Sequence, residues 1–376
     1  MSSVMRDVGG AGLRPRRLSV VARSGCYRLR IARLERDLVQ LAAIPAPTGS
    51  EDSRIEWLER RLADAPGHRE RDGVGNLVWR LLDGRPALAL LAHVDTVFPA
   101  DVPHDPVERD GWLYGPGIGD NAAAVAMAVD VVEEVADALS RPLALVFTVG
   151  EEGLGNLRGA LHACTELQPE MVIALEGHGL ESVCVDAVGS IRSRLTVTGP
   201  GGHSWWDRSR PSAVHALIGL LGEVLEAPSD DSAVNIGTVS GGDSVNAIAA
   251  QAEAVVEARS LDEAVLDAFT HRLGELAVGQ PLELAVHPLG RRPAGRLDRA
   301  HPLLATVRAV REELGLPDTL GDGSTDANAA LAQGIPALSL GCARGHDMHA
   351  LTERIELASL RLGRDQLEGV LRRLVS

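Results

Sequence analysis

Apolar and polar positions along the chain fall into two textures. Over residues 31–41 the apolar positions recur at helical spacing, and the run Ile44-Pro45-Ala46-Pro47-Thr48-Gly49 breaks that helix. Three apolar runs follow at 87–92, 143–149 and 171–175, and 336–340 is a further strand candidate. Runs of this length without alternation predict strands buried on both faces. Helical patterns lie between them, notably over 121–139. Strand and helix in turn predict an α/β domain with a mostly parallel sheet.

From about Gly189 the pattern changes. Residues 191–198 alternate as a half-exposed strand, and 211–227 read as a helix with Pro211 in its first turn. Strands at 234–240 and 251–260, a helix at 261–278 and a strand at 282–287 come next. The order β-α-β-β-α-β is the split arrangement of ferredoxin-like domains. A loop over 290–298 leads back to α/β texture. The predicted division is a basic, flexible tail over 1–30, a larger domain over 31–188 and 297–376, and a smaller one over 189–296.

A length of 376 residues suits two domains at roughly 100–200 residues each. The 45% hydrophobic content supports packed cores and excludes a mainly disordered chain. With 37 basic and 52 acidic residues the net charge is −15, which argues against a nucleic-acid partner. Every basic residue is Arg, so no Schiff-base or phosphate-gripping lysine is present. Cys26, Cys164, Cys184 and Cys342 have no zinc-pair spacing and read as thiols in a reducing cytoplasm. No run approaches the ~18 apolar residues of a membrane helix. The apolar stretch 18–22 among the early arginines is too short for a signal-peptide core. That segment reads as a loose basic tail or as a start placed too early.

The candidate chemistry sits immediately after the predicted strands. His93 and Asp95 follow the first run, Glu151 and Glu152 the second, Glu176 the third, and His349 lies in the loop beyond the fourth. Asp120 ends Gly115-Pro116-Gly117-Ile118-Gly119, just before a helix. Ligands of open α/β sheets bind outside the carboxyl ends of the strands, so these side chains should converge on one edge. Two imidazoles and three carboxylates suit a pair of borderline-soft divalent ions, with Asp120 as the natural bridge. Asp95 can accept the proton of the other His93 nitrogen. Singly, each residue has a plainer reading. Asp120 could cap a helix for ~1 kcal/mol, Glu151 and Glu152 could form a solvated turn, and His93 could make an ordinary strand-end hydrogen bond. The glycine run lacks the third glycine and the preceding strand of a dinucleotide loop.

Six segments carry a resemblance: 91–97 (Leu-Ala-His-Val-Asp-Thr-Val), 114–120, 148–153, Gly201-Gly202-His203-Ser204, Ser324-Thr325-Asp326-Ala327-Asn328 and His349-Ala350-Leu351-Thr352-Glu353. In this order they resemble the dinuclear zinc hydrolases that include glutamate carboxypeptidase, peptidase T, acetylornithine deacetylase and succinyl-diaminopimelate desuccinylase. The resemblance covers nearly everything after Ile31. It implies a zinc-exopeptidase-like catalytic domain with an inserted lid and dimerisation domain. It also implies two zinc ions per chain, with cobalt or manganese as substitutes. His93, Asp120 and Glu176 would hold one ion, and Glu152, Asp120 and His349 the other, leaving Glu151 as general base. His203 would reach the active site of the neighbouring subunit in a homodimer and stabilise the oxyanion. Asn246 and Arg259 match positions that grip the substrate's carboxylate or backbone, and both also admit a structural role.

There are departures from the family pattern. Asn121-Ala122-Ala123-Ala124 replaces the usual helix start, which points away from the desuccinylase and acetylornithine branch. Glu176 leans toward deacylating members. Trp205 and Trp206 read either as lid core or as a wall of the substrate pocket. The function implied is a cytoplasmic hydrolase of amide bonds in small peptides or N-acyl amino acids, carboxypeptidase or deacylase, with no membrane partner. The alternative is a non-hydrolytic relative binding an amino-acid-like ligand through the lid.

Overall fold

The computed structural model describes residues 20–226 and 232–376. Its central sheet has four parallel strands side by side, in the order Leu143–Thr148, Leu88–His93, Val172–Glu176 and Ala337–Gly341. They are almost wholly buried, which explains their predominantly apolar sequences. Antiparallel strands extend both sides: Leu77–Leu81 and His68–Arg71 on one, Ser182–Ala187 on the other. Helices Val20–Ala42, Ala124–Val135, Pro302–Glu313 and Ser359–Leu374 cover one face; Arg158–Leu167 and Ala327–Ala332 cover the other. The register sets His93 opposite Thr148 and Glu176 opposite Gly341, so all four sit at the carboxyl edge.

Residues 189–292 build a second sheet, entirely antiparallel, in the order Ser232–Gly241, Gln251–Ser260, Gly189–Thr198 and Glu283–Arg292. Leu195, Leu217 and Phe269 are buried between it and the helices Ala213–Leu225 and Glu263–Glu275. The chain then returns to the central sheet through Gly295–Arg296, which pairs with Ser182–Ala187.

Several local expectations are revised. The first helix begins at Val20, so residues 20–30 of the expected tail are helical; residues 1–19 lie outside the described residues. At its inner end Arg30 and Arg33 pair with Glu134, Asp130 and Glu133 of a neighbouring helix, so these bases are partnered. Pro211 precedes Ser212, the residue before the helix, and is not in the first turn. The expected loop at 290–298 starts as strand, because the strand from Glu283 passes a bulge and continues to Arg292. Trp205 and Trp206 are 63% and 76% exposed and line neither core nor cavity. Among the described residues no helix is long and apolar enough to cross a membrane.

Backbone packing at the carboxyl edge leaves no room for a side chain at Gly177. A Cβ there would lie 1.6 Å from the carbonyl oxygen of Gly119. Gly219, in a helix, has nothing within 4 Å. Gly177→Ala should therefore cost about 1–3 kcal/mol through forced backbone movement. Gly219→Ala should gain up to about 1 kcal/mol from helix propensity. Urea unfolding midpoints moving in opposite directions would bear this out; equal shifts would refute it.

Candidate metal centre

Asp120 is placed by a turn that the apolar pattern concealed. Residues Ile118–Ala123 form a wide, irregular turn ahead of the helix Ala124–Val135, with Asp120 and Asn121 outside helical geometry. Asp120 makes no capping bond there, so the helix-cap reading falls. Its loop is held from behind by Glu353, which is fully buried. Glu353 accepts hydrogen bonds from the amides of Gly117 and Gly119 at 2.9 Å and of Asp120 at 2.8 Å. His178 Nε2 lies 2.9 Å from the same carboxylate. Asn121 completes the anchorage by donating to the Leu175 carbonyl at 2.8 Å.

Held in this way, Asp120 lies between two imidazoles. His93 Nε2 is 3.0 Å from Asp120 Oδ1, and His349 Nε2 is 3.0 Å from Asp120 Oδ2. Glu176 approaches His93 Nε2 to 3.8 Å, and Glu152 approaches His349 Nε2 to 3.2 Å. Ligand atoms of His93, Asp120 and Glu152 all lie within 4.8 Å of one another. The structure thus brings together the five residues singled out as ligands, with the two carboxylate oxygens of Asp120 turned to different partners.

Asp95 is fully buried but serves the neighbouring strand end more than the imidazole. Its carboxylate accepts from the amides of Glu151 at 3.0 Å and Glu152 at 2.9 Å, and from the Thr48 hydroxyl at 2.8 Å. His93 Nδ1 is nearer the Asp95 carbonyl, at 3.1 Å, than its carboxylate, at 3.6 Å. The expected carboxylate–imidazole contact is therefore mainly a carbonyl contact, because the carboxylate is engaged by three donors.

Electrostatics follow from crowding acids in a buried space. Burial pushes the Glu176 carboxyl up to about 7 and the Glu151 carboxyl well above the usual range. Burial raises Asp326 to about 6. Burial opposes charge on Asp120 too, but the bonds from His349 and His93 hold its pKa well below the usual range. His349 is lifted to about 10 by its bonds to Asp120 and Glu152. Protons on the imidazoles thus partly offset the acids, and a divalent cation would take their place. Imidazole nitrogen with carboxylate oxygen is a donor set that fits zinc-type ions.

The cluster opens into a cavity of about 540 Å³, which Arg192, Arg259 and Arg292 also line. Arg259 is paired there with Glu257, at 2.9 Å. His203 and Asn246 are exposed at a short two-stranded antiparallel pairing, Gly202–His203 with Ala247–Ile248, outside that cavity.

Two residues at the site lacked a role in the sequence. Glu353 stood in the segment with His349, and its buried position was not legible from spacing. Arg292 fell in the expected loop, yet places a guanidinium nitrogen 3.0 Å from Glu151 Oε1. One signal was available: Arg292 precedes Pro293, and a residue before proline favours extended backbone.

A family model described as peptidase family M20/M25/M40 matches residues 89–373. The succinyl-diaminopimelate desuccinylase of Bordetella petrii is 28% identical over 368 residues, covering 89% of this chain and 94% of the relative. A tripeptidase from Staphylococcus aureus superposes with a TM-score of 0.76 at 23% identity, covering 92% of this chain and 98% of that one. A dinuclear metal-binding M20 peptidase from Bacillus subtilis gives 0.63 at 15% identity, over 93% and 99% of the two chains. Relatives named succinyl-diaminopimelate desuccinylase are thus similar to this chain over most of its length.

Glu353→Gln replaces an acceptor facing three amides with a group that also donates. Loss of such support behind a ligand costs about 10–100-fold in metal affinity. Competition against a chelator should show that loss with helix content unchanged by circular dichroism. Unchanged affinity would mean that Asp120 is held by other contacts.

Proposed function

The chain belongs to peptidase family M20/M25/M40 and is a metal-dependent amide hydrolase, and from this premise we propose a two-zinc hydrolase of small peptides or N-acyl amino acids. One observation carries the reading: the Asp120 oxygens face different imidazoles, each at 3.0 Å. A carboxylate so placed suits a bridge between two ions. His93, Asp120 and Glu176 would hold one ion and Glu152, Asp120 and His349 the other; cobalt or manganese could substitute. Bound there, the ions would polarise the scissile carbonyl and lower the pKa of a water to about 7.

Glu151 is the general base. It lines the cavity beside the ligands but contacts none of the imidazoles, so a carboxylate oxygen stays free to take the proton from water. The same carboxyl then returns the proton to the leaving amine. Asp95 holds the amides of Glu151 and Glu152 and so fixes base and ligand relative to each other. Arg259, at the cavity wall, has Nε and Nη2 engaged by Glu257 and offers its Nη1 edge to a substrate carboxylate.

We read residues 31–188 and 297–376 as the catalytic domain and 189–296 as a lid and dimerisation domain. His203 and Asn246 lie outside the cavity of their own chain, so their roles toward oxyanion and substrate would be played in the cavity of a partner. The buried thiols of Cys164 and Cys342 suit a cytoplasmic setting.

Glu151→Gln should cut kcat by about 10²–10⁴-fold, the scale of general acid–base catalysis, with metal content unchanged. Retention of most activity would dismiss Glu151 as the base. Elemental analysis of the purified chain should give two divalent ions; a chelator should abolish hydrolysis of N-acetyl amino acids or dipeptides, and added zinc should restore it. One ion per chain at full activity would refute the paired site.

A further inference from the structure

We propose that Arg292 is a positioning residue for Glu151, and that it makes alignment of the base conditional on the second sheet being seated against residues 151–156. The inference rests on Glu151 being the base.

Arg292 ends the outer strand Glu283–Arg292 of the second sheet, while Glu151 follows a central strand, so the contact joins the two sheets. One guanidinium nitrogen lies 3.0 Å from Glu151 Oε1 and 3.2 Å from Ser324 Oγ; the other donates to the Glu151 backbone carbonyl. Both side chains are about 6% exposed. The Glu151 amide is meanwhile held by Asp95 at 3.0 Å. Both backbone groups and one carboxylate oxygen are thus fixed. Oε2 has no protein partner among the described residues and is the oxygen left for water.

The guanidinium can grip carboxylate and carbonyl together because its donors form a rigid fork. Its reach depends on where the second sheet sits, and the side chains of Asn156 and Arg192 define that seat. Asn156 donates to the Leu289 carbonyl at 3.3 Å, three residues before Arg292. Arg192, on the strand Gly189–Thr198, donates to the Gly153 carbonyl and to Asn156 Oδ1, the latter at 3.4 Å. Gly290 packs so close to Asn156 that a Cβ would lie 2.1 Å from its side chain. A sheet lifted from this seat would carry Arg292 off Glu151.

The test uses the metal-loaded full chain, with the N-acetyl amino acid or dipeptide that the wild type turns over fastest. Arg292→Met should lower kcat by about 10²-fold, as expected for a base misplaced by about 1 Å, with KM within about threefold and metal content intact. Arg292→Lys, which keeps the charge but loses the fork, should recover part of kcat. Asn156→Gly, which leaves Arg292 in place, should also lower kcat. In both Arg292→Met and Asn156→Gly, amides 151–156 should exchange with solvent about tenfold faster once the tie is lost. A raised KM with kcat retained in Arg292→Met would overturn the proposal in favour of substrate binding. Unchanged kcat and exchange in Asn156→Gly would overturn the dependence on the seat. Glu151→Gln run in parallel separates the two levels. If it stays active, the assignment of the base fails. If it is inactive while Arg292→Met keeps its kcat, this inference fails alone.

Discussion

The Asp120 carboxylate, shared between two imidazoles, is the contact around which the rest of the site is arranged. It is buried and charged, and burial alone opposes the charge. Two kinds of support make that state tolerable. The imidazoles supply positive charge at 3.0 Å, and Glu353 takes the backbone amides that would otherwise point inward unsatisfied. Glu353 is itself a buried acid, and its bonds to three amides and His178 are what allow it to sit there.

Parallel strands turn this local arrangement into a site. Because neighbouring parallel strands end at the same level, His93, Thr148, Glu176 and Gly341 arrive at one edge without any long loop being ordered for the purpose. His93 and Glu176 are themselves strand ends, Asp95, Glu151 and Glu152 lie two to four positions beyond one, and Asp120 and His349 arrive from loops. Asp95 links two of those strand ends by accepting from the amides of Glu151 and Glu152. Displacing one strand end therefore strains the other. That coupling is a physical reason to expect the cluster to form as a unit.

What could be read from the sequence follows the same logic. The buried strands were legible because burial on both faces demands predominantly apolar runs, and acids or histidines just beyond them mark the working edge. The turn at 118–123 was hidden, since Asn121-Ala122-Ala123 looks helical and only the anchorage of Asn121 to Leu175 shows otherwise. Glu353 and Arg292 were hidden for a different reason. Their importance lies in contacts to residues far away in the chain, and no periodicity records such pairs. Trp205 and Trp206 show the opposite failure: large aromatic side chains suggest core or pocket, yet here they sit exposed in the turn after His203.

A chain whose basic residues are all arginine handles buried polar backbone in a particular way. Arg54, with no exposed surface, donates to the carbonyls of Ile44 and Val94, both at 2.9 Å. Val94 stands between His93 and Asp95, so this tie fixes both of them through a residue that does not line the cavity. Burial lowers the Arg54 pKa only to about 10, so it stays charged at neutral pH. Arg311, buried elsewhere, spans the carbonyls of Leu180 and Pro317 and the side chain of Gln366. A lysine ammonium could satisfy one or two of these acceptors but would not set their spacing, since its donors rotate about a single point. Guanidinium forks fix distances as well as charge. The strand end at His93 tied by Arg54 and the Glu151 carboxylate tied by Arg292 are therefore two uses of one device, the first from a helix to the end of a central strand and the second between the two sheets.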